Sequence, residues 1–335
     1  DGETDGASVA LVVTDPEGYA VYEGPAAGDT IEIEGIQPWS HAAPVLYHAV
    51  LTLRDADGVL QEVVPYDIGF RRFEMINGVM CLNGERVVFN GVNRHEWNAD
   101  RGRAIGADDM HAAMAVFKKN NINAVRTCHY PDQSLWYDLC DRNGIYMIDE
   151  TNLESHGSWQ KLGAVEPSWN VPGSLPEWKD CVVDRARSMF ERDKNHAAVL
   201  IWSCGNESYA GEDILAMSQF FHDHDPGRLV HYEGVFHCRA FDAISDMESR
   251  MYAKPWEIRE YLESHPKKPF ILCEYMHDMG NSLGGMESYV RLADEFDQYQ
   301  GGFIWDYMDQ ALRHTDALGR SVLGYGGDFA DRNTD

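Results

Sequence analysis

The chain has 335 residues, with 28 Lys and Arg against 55 Asp and Glu, a formal net charge of −27 at pH 7. At about 100–200 residues per domain, that length predicts two domains and a sizeable buried core. The charge repels phosphate backbones and anionic headgroups, so neither nucleic acid nor membrane is an expected partner, and no apolar run nears the ~18–20 residues that span a bilayer.

The chain opens Asp1-Gly2-Glu3-Thr4, with no initiator Met, basic stretch or apolar leader, and closes Arg332-Asn333-Thr334-Asp335. Both ends read as cut. With no targeting signal visible, a cytoplasmic location is expected. Seven cysteines, at 81, 128, 140, 181, 204, 238 and 273, are scattered and odd in number, with no C-x-x-C pair. Buried reduced thiols are a better reading than a disulfide framework or a zinc site.

Residues 1–70 read as an all-β unit. Apolar residues alternate over 8–13, 30–36 and 46–53, and turn signals stand at Asp15-Pro16-Glu17-Gly18, Gly24-Pro25 and Asp57-Gly58. Short strands with this punctuation predict an immunoglobulin-like sandwich. Over 71–335 the rhythm changes. Strand candidates at 87–91, 124–127, 145–149, 199–203, 229–232, 243–246, 270–273 and 302–305 alternate with helix candidates near 108–120, 133–142, 177–194, 213–224, 255–264 and 286–298. Ser174-Leu175-Pro176-Glu177 reads as a capping box and Asn143-Gly144 as a helix stop. Eight strands joined by crossover helices predict an α/β fold, a (β/α)8 TIM barrel. A doubly wound sheet is the competing architecture, but no Gly-x-Gly-x-x-Gly follows the first strand.

In such a barrel, chemistry gathers at the carboxyl ends of the strands. Here those ends are polar: Asn93-Arg94-His95-Glu96, Arg126-Thr127-Cys128-His129-Tyr130, Asp149 through His156, Gly205-Asn206-Glu207-Ser208, Met251-Tyr252, Glu274-Tyr275-Met276-His277 and Trp305-Asp306. Glu207 and Glu274 each follow directly on an apolar strand. Either alone reads equally as a salt-bridged carboxylate at a barrel rim. As a pair across one mouth they suit glycoside hydrolysis, which needs one carboxyl protonated and one ionised.

The stretches Asn90-Gly91-Val92-Asn93-Arg94-His95-Glu96, Val125-Arg126-Thr127-Cys128-His129-Tyr130-Pro131, Ile201-Trp202-Ser203-Cys204-Gly205-Asn206-Glu207-Ser208, Leu272-Cys273-Glu274-Tyr275-Met276-His277-Asp278-Met279-Gly280-Asn281-Ser282 and Gly301-Gly302-Phe303-Ile304-Trp305-Asp306 resemble glycoside hydrolase family 2, its β-galactosidases most closely. The resemblance implies a retaining hydrolase of terminal β-D-galactosyl residues, with Glu274 as nucleophile and Glu207 as acid/base. It implies that Asn206 holds the sugar 2-hydroxyl, that Tyr252 bonds the nucleophile, and that His95, His129, His277 and Trp305 line the galactose subsite. Arg126 would supply positive charge beside the nucleophile.

Glu154 and His156, at i and i+2 of an extended segment, point the same way. Alone they read as a surface pair. The resemblance makes them, with Glu207, a magnesium site, and oxygen-rich donors with one imidazole imply modest affinity. It further implies a sodium site in the full-length protein, with ligands from outside this chain and from just beyond Tyr325-Gly326-Gly327-Asp328-Phe329. The expected partners are a small β-galactoside and flanking domains of the same polypeptide, and a homo-oligomer stays open. Alternatives are a β-glucuronidase or β-mannosidase of the same family, a metal-dependent hydrolase using Glu154, His156 and Glu207, and a sugar-binding fragment with little activity.

Overall fold

A computed structural model of the chain describes residues 6–26, 30–161, 164–278 and 283–329. The Met279-Gly280-Asn281-Ser282 stretch and the last residues lie outside this set. No helix among the described residues is long and apolar enough to cross a membrane.

The N-terminal unit contains one antiparallel sheet in which Ala20–Pro25, Ser8–Thr14, Tyr47–Arg54 and Leu60–Ile68 lie side by side in that order. Leu11 pairs with Leu51 and Val13 with Ala49, so one face of the sheet is apolar. That face buries Val13, Tyr47 and Ala49 beneath Ile33, Ile36, Val45 and Phe70. The alternation at 30–36 is therefore real, but it serves a covering segment rather than a strand. Among the described residues, those at 30–36 join no ladder of this sheet.

The connection to the second unit is firm. Trp39, fully buried, donates its indole N–H to the Asp141 carbonyl (2.8 Å) and packs edge-on against Tyr146. Arg71 donates to the carbonyls of Ala197 (2.7 Å) and Val199 (2.6 Å). A small three-stranded sheet of Phe73–Ile76, Val79–Leu82 and Glu85–Arg86 then leads into the barrel.

The barrel strands, in chain order, are β1 (Phe89–Arg94), β2 (Ala124–Thr127), β3 (Tyr146–Glu150), β4 (Val199–Ser203), β5 (Leu229–His231), β6 (Glu248–Met251), β7 (Phe270–Tyr275) and β8 (Tyr299–Ile304). All neighbours are parallel, and β8 returns to β1 through pairs such as Phe303 with Gly91. The helices are α1 (Ala107–Lys119), α2 (Ser134–Asn143), α3 (Pro176–Asp193), α4 (Glu212–His224), α5 (Pro255–Glu263) and α6 (Met286–Glu295). Gly144, at φ 68°, ends α2 in the left-handed conformation that glycine adopts without strain.

Two expectations fail locally. The sixth strand is Glu248–Met251, not 243–246, which lies within and just after a 3-10 turn at Arg239–Ile244. The strand shows no apolar pattern because Glu248, Ser249 and Arg250 are polar, with Glu248 paired to Arg239 and Arg250 on one face and Ser249 bound to His231 on the other. Ser174 does not cap α3. Its hydroxyl accepts from the Glu212 N–H (3.0 Å) at the start of α4, while Pro176 opens α3 with the missing donor a first turn tolerates.

The main core runs between the strands and the helical ring, with Trp202 stacked on Phe221 and Phe117 edge-on to Trp136. Five cysteines are buried and all seven are free thiols. Cys181, on the outer face of α3, is exposed and departs from the expectation of burial.

Candidate active site

Every strand end that the sequence singled out opens on one mouth, and Arg126 at the end of β2 organises it. The side chain is fully buried and its guanidinium spends five hydrogen bonds. Nε and Nη2 fork onto Glu150 (2.8 and 3.0 Å), Nη1 donates to Asn93 Oδ1 and Glu274 Oε1 (both 2.9 Å), and Nη2 also reaches Asn206 Oδ1 (2.8 Å). Burial alone would push the Glu150 carboxyl up, but Arg126, then His129, outweigh it and hold it below the usual carboxylate range.

Glu274, near the end of β7, accepts on both oxygens: Oε1 from Arg126 and Oε2 from the Tyr252 hydroxyl (2.8 Å). Tyr252 follows β6 with φ 54°, a left-handed backbone that aims the phenol across at β7. His129 binds Glu150 Oε1 through Nδ1 (2.8 Å), leaving Nε2 3.9 Å from Glu274 Oε1. Its ring stacks on Trp305 at 5.3 Å, and His95 meets both rings edge-on. Burial first, then the nearby charges of His129 and Arg103, press the His95 imidazole down to about 3, so it is neutral near pH 7. His277 tilts against Tyr252 at 6.0 Å and lines, with Trp305, Asp306 and Tyr325, a recess of about 200 Å³.

Glu207 lies beyond β4 on a turn that the sequence makes possible. Gly205, at φ 136°, brings its backbone so close to Leu153 that a Cβ there would lie 2.7 Å from the Leu153 carbonyl oxygen. Asn206 then bridges to Glu154, donating from Nδ2 to Oε1 (3.1 Å). Glu207 follows with φ 43°. Burial raises the Glu207 carboxyl above its ordinary value. The His156 charge works against that, and the negative charges of Glu274 and Glu154 add to it. A second recess, about 170 Å³, opens beside Glu207 between Trp159, Phe236 and Tyr252.

Glu154, His156 and Glu207 share one side of this mouth. His156 Nδ1 lies 2.9 Å from Glu207 Oε2 and its Nε2 lies 2.7 Å from Gln160 Oε1. Two carboxylates and one imidazole suit a hard divalent cation in kind. Among the described residues the group whose ligand atoms all fall within 4.8 Å of one another is a different one, His231, Glu233 and Cys273. That group is a poor cation site, since His231 binds Ser203 Oγ (2.9 Å) and Ser249 Oγ (2.8 Å) with its two nitrogens, and the Arg126 charge bears on all three members.

Sequence reasoning named Arg126, His129, Asn206, Glu207, Tyr252 and Glu274, and the fold brings these together. It placed Asn93 and Glu150 only among the polar strand ends, without a role, and did not name Glu233. Asn93 fixes β1 against the carbonyls of Cys273 (2.9 Å) and Phe303 (3.1 Å). Glu233 follows the apolar run Leu229-Val230-His231-Tyr232 as Glu207 and Glu274 follow theirs, so the same signal was present.

Fold and mouth together define an α/β barrel of the TIM type with its polar site at the carboxyl ends of the strands. Residues 73–335 match the family described as glycosyl hydrolases family 2, TIM barrel domain, and residues 2–71 match glycosyl hydrolases family 2. The chain belongs to glycosyl hydrolase family 2. It is 63% identical over 297 residues to a beta-galactosidase of Halalkalibacterium halodurans, covering 89% of this chain and 29% of that protein. It is 55% identical over 336 residues to the beta-galactosidase large subunit of Lactobacillus acidophilus, covering 98% of this chain and 54% of that protein. The chain thus spans from under a third to about half of these curated relatives. A beta-glucuronidase from Ruminococcus gnavus superposes with TM-score 0.77 over 91% of this chain and 57% of its own, at 21% identity, which speaks for the shared fold alone.

Proposed function

We propose that this chain carries the catalytic barrel of a retaining β-galactosidase. The observation that carries the reading is the unequal treatment of two glutamates in one mouth. Glu274 has both oxygens occupied by donors, one of them a guanidinium, whereas burial and neighbouring carboxylates raise Glu207 toward its protonated form. That separation is the requirement of double displacement.

In the first step Glu274 attacks the anomeric carbon as Glu207 gives its proton to the departing glycosidic oxygen. A galactosyl ester on Glu274 results, and the aglycone leaves as an alcohol. In the second step Glu207, now ionised, takes a proton from water, which attacks the same carbon and frees Glu274. Two inversions return the β-anomer. Arg126 and Tyr252 hold Glu274 in line for attack, and Asn206 is placed to meet the 2-hydroxyl. His95, His129, His277 and Trp305 form the sugar wall, a neutral His95 offering one donor and one acceptor.

Magnesium is proposed on Glu154, His156 and Glu207, where its charge would offset the carboxylates around the acid/base; binding would replace the hydrogen bonds these residues now make to one another and to Asn206 and Gln160. The sodium ion has its expected ligands outside the described residues, and no step involves it. The similarity to beta-galactosidases at 55–63% identity supports galactosides over glucuronides as substrate.

The test uses the full-length protein and aryl β-galactosides of graded leaving-group acidity. Glu274→Gln is expected to abolish turnover of all of them. Glu207→Gln is expected to slow poor leaving groups by ~10²–10⁴ and activated ones far less, with azide restoring turnover as a β-galactosyl azide. Equal losses without rescue would void these roles.

A further inference from the structure

Glu207 holds a backbone conformation that a β-carbon disfavours, at φ 43°, with no glycine to relieve it. Such a residue keeps its shape only where its surroundings over-determine it. The polar groups of this turn are clamped from three directions. Trp159 donates its indole N–H to the Glu207 carbonyl (2.7 Å). Tyr232 accepts from the Ser208 N–H (3.1 Å) and donates to the Ser208 carbonyl. The Glu207 N–H itself donates to Oε1 of Glu233 (2.7 Å).

The last of these is unusual in its chemistry. Glu233 is buried, 5% exposed, in the wall behind the mouth, and its second oxygen, Oε2, is a buried atom with no hydrogen-bond partner. A carboxyl placed there only to fill space would be a costly choice, because a buried polar atom without a partner forfeits its hydration with nothing in return. What it supplies is a rigid acceptor at the one peptide N–H of the acid/base.

We propose that Glu233 is a positioning residue for Glu207: its Oε1 fixes the Glu207 N–H, and with it the left-handed turn that aims the Glu207 carboxyl into the mouth. The inference rests on reading Glu207 as the acid/base, and it assigns Glu233 no contact with substrate. Its action goes through the direction of a neighbour's side chain. Losing it must therefore appear where Glu207 does chemistry and not where Glu274 alone does.

The experiment compares Glu233→Leu and Glu233→Gln in the full-length protein, using a dinitrophenyl β-galactoside and a methyl β-galactoside. The amide oxygen of Gln can still accept from the Glu207 N–H, and Leu cannot. For Glu233→Leu, kcat/KM on the methyl glycoside is expected to fall ~100-fold, as for loss of general-acid assistance, while kcat/KM on the dinitrophenyl glycoside changes less than about 3-fold. Turnover of the dinitrophenyl glycoside should also fall, with KM falling alongside, because release of the sugar from Glu274 needs Glu207 as base. Added azide should restore that kcat. Glu233→Gln should stay near the parent on both substrates.

Equal losses on the two glycosides, or a Leu variant that behaves as the parent, would overturn the proposal. If Glu233→Leu does not fold, Glu233→Asp decides in its place, since the shorter side chain withdraws the acceptor and must give the same leaving-group dependence. Glu207→Gln, run in parallel, separates the two levels. A control without leaving-group dependence refutes the role of Glu207, and a control that has it beside an indifferent Glu233 series refutes the positioning role alone.

Discussion

Arg126 and Glu150 meet in a two-pronged ion pair, 2.8 and 3.0 Å, with both side chains wholly removed from solvent. The pair is not isolated, since the same guanidinium also serves Glu274, Asn93 and Asn206. Arg126→Met is expected to destabilise the protein by ~3–5 kcal/mol, because two carboxylates are left buried without their cation. Arg126→Lys keeps a charge and loses the fork, so stability should partly recover while turnover does not. Urea denaturation and a nitrophenyl galactoside assay on both variants check this. A Met variant as stable as the parent would show that the network contributes nothing to the fold.

Gly301 in β8 has φ 85°, and a β-carbon there would sit 2.1 Å from the Phe89 carbonyl oxygen, on the neighbouring strand with which it pairs. Gly301→Ala must push β8 away from β1, at an expected cost of ~3 kcal/mol or more from strain and lost pairing. Trp305, at the end of that strand, stacks on His129 beyond β2, so sugar affinity should fall as well. Denaturation midpoints and KM for the galactoside measure the two effects. An unchanged midpoint would refute the close approach.

His231, fully buried beside Ser203 and Ser249, has its imidazole pushed down to about 3, by burial first and then by the charge of Arg126. An unfolded histidine titrates near 6.5. Between those values the unfolded chain binds a proton that the folded one refuses, so stability falls as pH drops from about 6.5 toward 3, by up to ~1.4 kcal/mol per pH unit. His231→Gln cannot titrate. Between pH 7 and pH 5 it is expected to lose about 2 kcal/mol less than the parent, read from urea midpoints. Equal acid sensitivity of the two would count against this.

Chelation addresses the place of magnesium. Glu274 and its donors stand apart from Glu154 and His156, so removing the cation is expected to lower kcat/KM without abolishing it, while Glu274→Gln abolishes it with or without metal. Complete and reversible loss on chelation would favour a metal-dependent hydrolase instead.

The helices were legible because start and stop are local. Pro176, Pro255 and Gly144 mark boundaries within a residue of those observed. The sixth strand was not, because Glu248, Ser249 and Arg250 are polar, and the partners that make this tolerable, Arg239 and His231, belong to different elements. The two glutamates could be read from their position after apolar runs. The hub around Arg126 could be named only in part, since its bonds to Asn93 and Glu150 join residues 33 and 24 positions away. No periodicity encodes such pairs. Glu233 carries the same signal, standing just beyond the apolar run that ends β5.

The barrel has one seam. The ladder runs from β6 round through β8 and β1 to β5, and between β5 and β6 the described residues show no strand pairing. What crosses there includes the Asp246 N–H to the Val230 carbonyl (2.8 Å), the Val230 N–H to the Asp246 carboxylate (2.7 Å), the Tyr232 N–H to the Ser245 hydroxyl (3.1 Å), and the His231 ring on the Ser249 hydroxyl (2.8 Å). The walls bearing Glu233 and Tyr252 are thus joined mostly through exchangeable side chains. Elsewhere in the ring, altering the cleft's width means breaking main-chain hydrogen bonds. At this joint, substitutions at 231, 246 or 249 alter the contacts between the walls bearing Glu233 and Tyr252 while leaving every strand ladder of the barrel intact.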